Sequence, residues 1–186
     1  MRRPLIHAAI VAAVLGGFAS CRADSVTSSS KDVGISANQM TGGSSVSYQY
    51  LVGVDGLASP DVAVAASGDR IEATGQGTFT LHSKSITGSG SFTLKAPDGT
   101  VLGSGTWTAT QLLSFNSYGA PPGFPAFQGG LAVIEVHLST GLDAVLEVSC
   151  LVGSPPPAAH EGISLAVEGG PNFNKQVSGE TLFIRQ

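Results

Sequence analysis

The chain has 186 residues, of which 12% are charged, 42% hydrophobic and 6% aromatic, and 25 are glycine. Serine and threonine add 36 more, while helix-forming Glu, Lys and Arg are scarce, which excludes a coiled coil, a helical repeat and charge-rich disorder. The net charge is −4, so there is no basic excess to neutralise phosphates, and nucleic acid is not an expected partner.

The N-terminus reads as an export signal. Met1-Arg2-Arg3 is a short cationic start, and Leu5 to Phe18 is an apolar run broken only by His7. A bilayer span takes roughly 20 apolar residues, so the run is short for an anchor and suits a removed leader over residues 1–20. Phe18-Ala19-Ser20-Cys21 resembles the bacterial lipobox, in which the Cys becomes lipidated; Phe18 departs from the preferred Leu. Ordinary cleavage after Ala19 or Ala23 is the alternative.

Lipidated Cys21 would be the sole membrane contact, through buried acyl chains, and the Ser/Thr/Gly-rich segment 21–44 would be a flexible tether. Arg2 and Arg3 are the only charged residues of 1–20, so their removal leaves seven basic residues against thirteen acidic ones. Anionic partners are thereby disfavoured. The expected location is the cell envelope, or otherwise the periplasm or the outside of the cell.

From residue 45 onward the pattern is that of strands. Val46, Tyr48, Tyr50, Val52 and Val54 alternate, and Val62–Ala66 forms a second short run. Three related segments follow, at 74–81, 87–94 and 102–109, each alternating strictly as half-buried strands do. In the aromatic slot of the repeat stand Phe79, Phe92 and Trp107.

Turn chemistry at Ala96-Pro97-Asp98-Gly99 and a single apolar face predict a register. Leu94 should oppose Val101, Phe92 Gly103, Gly90 Gly105 and Gly88 Trp107. Around His82–Ser85 the same rule pairs Phe79 with Gly88, Gly77 with Gly90 and Gly75 with Phe92. Each ring then faces glycine, and Gly77, Gly90 and Gly105 form one row. That row is a crease for bending long strands, or a smooth floor for a ligand. The outward Thr and Ser side chains read as ordinary strand residues facing water.

Residues 131–138 and 142–152 make a further hairpin. Pairing Leu138 with Leu142 sets Val136 against Ala144, Ile134 against Leu146 and Ala132 against Val148, and Cys150 continues this apolar face as a buried thiol. The other face pairs His137 with Asp143 beside Glu135. These three are the candidate catalytic residues, with a solvated charge pair as the bland alternative.

Between the hairpins, Phe115 to Gln128 carries Phe115, Tyr118, Phe124 and Phe127 and no charge. It is expected to be a proline-stiffened loop, either a ligand contact or a plug. Ser154 to Gly162 is a second loop, with Pro155-Pro156-Pro157 before His160-Glu161. Ile163–Glu168 and Thr181–Arg185 close the list of strands.

No nucleophile elbow, His-Glu-x-x-His, Cys-x-x-Cys, P-loop, dinucleotide fingerprint or EF-hand occurs. Neither a cofactor nor a metal is expected. The reading is an all-β domain over 45–186 with eight or nine antiparallel strands, as a meander-like β-barrel or alternatively a β-sandwich. The expected role is a non-enzymatic binding or surface protein for a small apolar or carbohydrate ligand, with Phe79, Phe92, Trp107, Phe115, Tyr118, Phe124 and Phe127 as the contact set. The alternatives are a small barrel enzyme using His137, Asp143 and Glu135, or a structural, adhesive envelope component.

Overall fold

The computed structural model describes residues 45–186; the segments expected to be a leader and a tether, with Cys21, lie outside the described residues. Eleven strands follow one another: β1 (Ser47–Val52), β2 (Asp61–Val64), β3 (Arg70–Thr80), β4 (Ser85–Lys95), β5 (Val101–Gly119), β6 (Phe127–Leu138), β7 (Asp143–Cys150), β8 (Gly162–Val167), β9 (Asn172–Phe173), β10 (Lys175–Ser178) and β11 (Thr181–Arg185). All belong to one antiparallel sheet, and no helix interrupts it among the described residues. The domain is all-β, as the alternation requires.

From β2 to β9 each strand pairs with its successor, which makes a meander. β1 and β11 pair with each other and bridge β3 to β6. Six strands therefore close into a ring, in the order β3, β1, β11, β6, β5, β4. β4 runs along one edge of β3, while β1 and β2 share its other edge in tandem, at residues 75–80 and 70–73. β9 and β10 exceed the expected strand count. Gly169-Gly170-Pro171 and two asparagines mark that stretch as loop, and its strands are only two and four residues long.

The β6–β7 register matches the apolar-face argument: Val136 faces Ala144, Ile134 faces Leu146 and Ala132 faces Val148. In the three-strand repeat the faces are as expected, but the pairing is displaced by two residues. Phe79 faces Ile86, Gly77 faces Gly88 and Gly75 faces Gly90, while Phe92 faces Gly105 and Gly90 faces Trp107. The turns account for this. A four-residue loop, Leu81–Lys84, joins β3 to β4, and Lys84 takes a left-handed φ of 49°. Between β4 and β5 a bulge at Leu94/Lys95 shifts the ladder. A two-residue slip keeps every side chain on its own face, so the apolar pattern alone does not distinguish the two pairings.

The glycines remain seats for rings, in pairs rather than in one row. A Cβ on Gly77 would meet Tyr50 Cζ at 2.6 Å, and one on Gly88 would meet it at 2.8 Å. A Cβ on Gly90 would meet the Trp107 indole at 2.5 Å, and one on Gly75 would overlap it. Around these seats Tyr48, Tyr50, Phe79, Ile134, Val136, Val148 and Phe183 are all buried. Each fully buried side chain of this kind contributes on the order of 1.5–3 kcal/mol as an upper estimate.

Candidate functional site

The predicted catalytic trio lies on the outward face of the β6–β7 hairpin. His137 and Asp143 are cross-strand partners, with Nδ1 and Oδ1 2.7 Å apart and both side chains 54% exposed. Water screens such a pair, which is worth about 0–1 kcal/mol. Glu135 and Asp143 border one open groove of about 370 Å³ with Glu168, over a floor that includes Leu113 and Val145. His137 does not line it, although it is hydrogen-bonded to Asp143. Among the described residues no three His, Cys, Asp or Glu side chains come together as a metal site.

The predicted aromatic contacts divide into three groups. Phe79, Phe92 and Trp107 are interior, at 9% exposure or less. The space left between Phe92, Trp107 and their aliphatic neighbours is about 10 Å³, the size of one water molecule at most. The loop expected from Phe115 to Gln128 is shorter than that, because β5 continues to Gly119 and β6 begins at Phe127. Phe115 is thus a strand residue packed on the core, its ring centroid 5.1 Å from Tyr48, 5.0 Å from Phe79 and 5.2 Å from Phe183. Tyr118 is the second-last residue of β5 and is buried. Only Phe124 belongs to the exposed turn, and its ring stacks at 6.0 Å on that of the half-buried Phe127, the first residue of β6.

An apolar cleft opens beside the interior rings. Ile71 and Phe92 form one wall, Leu138 and Leu142 the other, and Val167, Pro171 and Phe173 close the end, around about 160 Å³. Ile71, Phe92 and Leu138 also line the small interior space, so the cleft is the outward continuation of the core. Strand alternation positions this wall: Phe92 and Leu94 point the same way along β4, and the tight turn at Gly141 carries Leu142 outward. Leu142 is 47% exposed.

Asp61 was not among the sequence candidates. It is fully buried, and both carboxylate oxygens lack a hydrogen-bond partner. Burial, with the negative charges of Glu161 and Glu180 nearby, pushes its carboxyl up to about 8. Gly179 has no room for a Cβ against Asp61, and Gly162 would place one 3.4 Å from Oδ1. The Glu161 carboxylate accepts from Leu151 N at 2.7 Å and from Thr181 N and Oγ1 at 2.9 Å each. The available signal was parity: Asp61 shares its face with the inward Ala63 and Ala65.

Comparison with known proteins gives no relative. No family model, curated protein or solved structure matches this chain. The functional reading therefore rests on the chain's own chemistry.

Proposed function

We propose that the protein is an exported, non-enzymatic binding module that takes a small apolar ligand in the cleft between Phe92 and Leu142. The cleft carries this reading. Its lining is apolar except for Thr140, and it opens to water beside a core already filled by the protein's own rings. Apolar concavities of this kind are where small ligands gain most from leaving water.

The address rests on the sequence. The cationic start, the apolar run and Cys21 in its lipobox-like setting support delivery to the envelope and anchoring there by an acyl chain. Intact mass of the protein extracted from membranes tests it. A diacyl or triacyl mass on an N-terminal Cys21 supports anchoring; a chain starting at Ser20 or Asp24 removes it.

For the ligand, titration with 1-aminonaphthalene followed by fluorescence is the direct test. Saturable binding at one probe per chain, lost in Leu142→Asp, is expected. A second reading, a surface component that presents the cleft to another macromolecule, is favoured by the exposure of Leu142. It would be supported if the probe fails to bind while sedimentation shows association that Leu142→Asp abolishes.

A further inference from the structure

A second concavity, of about 220 Å³, lies on the outward face of β6 and β7 under the loop that follows β7. Glu147 and Ser149 stand two residues apart on β7 and so share a face, and Leu131 is the cross-strand partner of Ser149. Tyr118 enters from the end of β5, Gln176 from β10, and His160 from the covering loop.

That loop is fixed at both ends. Ser154 N donates to the Tyr118 carbonyl at 2.7 Å, and the Glu161 carboxylate is tied to Leu151 and Thr181. Pro155-Pro156-Pro157 stiffens the span between. The hollow is preorganised, which lowers the cost of ordering it around a ligand.

Most of its polar side-chain groups have no partner among the described residues. Neither the Ser149 nor the Tyr118 hydroxyl is hydrogen-bonded to another described residue, and the same holds for the exposed His160 ring and the half-buried Gln176 amide. Glu147 accepts from the Ser164 hydroxyl at 2.6 Å through Oε2, which leaves Oε1 free. Among the described residues only the Asp61 carboxylate oxygens are sealed in without a partner, so the polar atoms of this hollow are open to it, and they converge on one space where a ligand can replace water. No hydrogen bond links Ser149 to His160, so the set is not wired for nucleophilic attack.

The chemistry of the lining selects the ligand. No Lys or Arg borders the hollow, so an anion gains nothing there. The single carboxylate, already bonded to Ser164, offers a cation little. A neutral ring bearing hydroxyls fits instead: each hydroxyl both donates and accepts, as the Ser149, Tyr118 and Gln176 groups require, while its C–H edges meet Leu131 and the Tyr118 ring. We infer that this hollow is a binding site for a neutral pyranose, separate from the apolar cleft.

Backbone amide chemical shifts of the ¹⁵N-labelled protein test this, with methyl α-D-glucopyranoside, methyl α-D-mannopyranoside and methyl β-D-galactopyranoside as probes. Saturable shifts at Leu131, Ser149 and His160 with at least one probe are expected. Ser149→Ala and Gln176→Ala should each weaken that binding by about tenfold, the worth of one lost hydrogen bond. Leu142→Asp should leave it unchanged. Absence of saturable shifts with all three probes up to about 100 mM overturns the assignment, as do equal shifts produced by glycerol or shifts confined to the apolar cleft. The wild-type titration decides the matter even if a variant fails to fold.

Discussion

The Trp107 indole occupies the space that a side chain on Gly90 would need, and its Nε1–H donates to the Thr74 carbonyl at 3.2 Å. Three strands are thereby locked at one point: β5 supplies the ring, β4 the vacant Cβ position and β3 the acceptor. A methyl group at Gly90 would meet the indole at 2.5 Å. Gly90→Ala should therefore destabilise the domain by about 3 kcal/mol, the upper range for overpacking a filled core. Gly103→Ala, where a Cβ meets nothing within 4 Å, should change stability by less than about 0.5 kcal/mol. Urea unfolding of both variants against the wild type checks the contrast.

Asp61 gives the domain a pH dependence of unusual sign. Its folded carboxyl titrates near 8, against an ordinary value of 3.8, so the native state holds this proton more tightly than the unfolded chain. The associated stability is complete below about pH 4 and is lost as pH rises toward 8. Asp61→Asn keeps the bulk and cannot ionise. Relative to the wild type it should gain stability progressively over that window, by up to about 5 kcal/mol at the alkaline end. Denaturation midpoints of the pair from pH 4 to about 9 measure the difference, and a pH-independent difference would contradict it.

Cys150 is 1% exposed, and desolvation pushes its thiol up to about 11. The reactive species is the thiolate, so both access and ionisation are withheld in the folded domain. Iodoacetamide at neutral pH should leave Cys150 unmodified in native protein and alkylate it fully in denaturant. Peptide mass spectrometry of the segment containing Cys150 reports this residue alone.

The His137–Asp143 contact should matter little to stability. Both side chains are 54% exposed, and Asp143→Asn is expected to cost less than about 1 kcal/mol. The difference should shrink further in molar salt, where exposed pairs are screened. Thermal melts at low and high ionic strength are sufficient to see it.

What could be read from the sequence was set by side-chain parity. The inward positions of Phe79, Phe92, Trp107 and Cys150 follow from alternation with period two, and the β6–β7 register follows because the turn at Gly141 leaves one short pairing. The β3–β4–β5 register is different in kind. A slip of two preserves every face, and the deciding elements, the left-handed Lys84 and the bulge at Leu94/Lys95, leave little trace in hydropathy. Phe115 reads as a loop residue in the sequence because three bulges break the alternation along β5.

The two concavities and Asp61 were less legible still. Each depends on strands distant in sequence: Phe92 shares a cleft with Leu142 and Phe173, Tyr118 shares a hollow with His160 and Gln176, and Asp61 lies against Gly162 and Gly179. A single sequence records the residue types at these places but not their convergence.

The pairing of β1 with β11 joins the two ends of the domain, Tyr48 opposite Arg185. The neighbouring hairpins of the meander can form from local encounters, whereas this ladder waits for the most distant one. Refolding should accordingly be governed by a late closing step. Until it occurs, β1 and β11 present unpaired backbone at residues 48–52 and 181–185. That interval is when the chain is most open to pairing with a second copy of itself, and when a chaperone would be of most use to it.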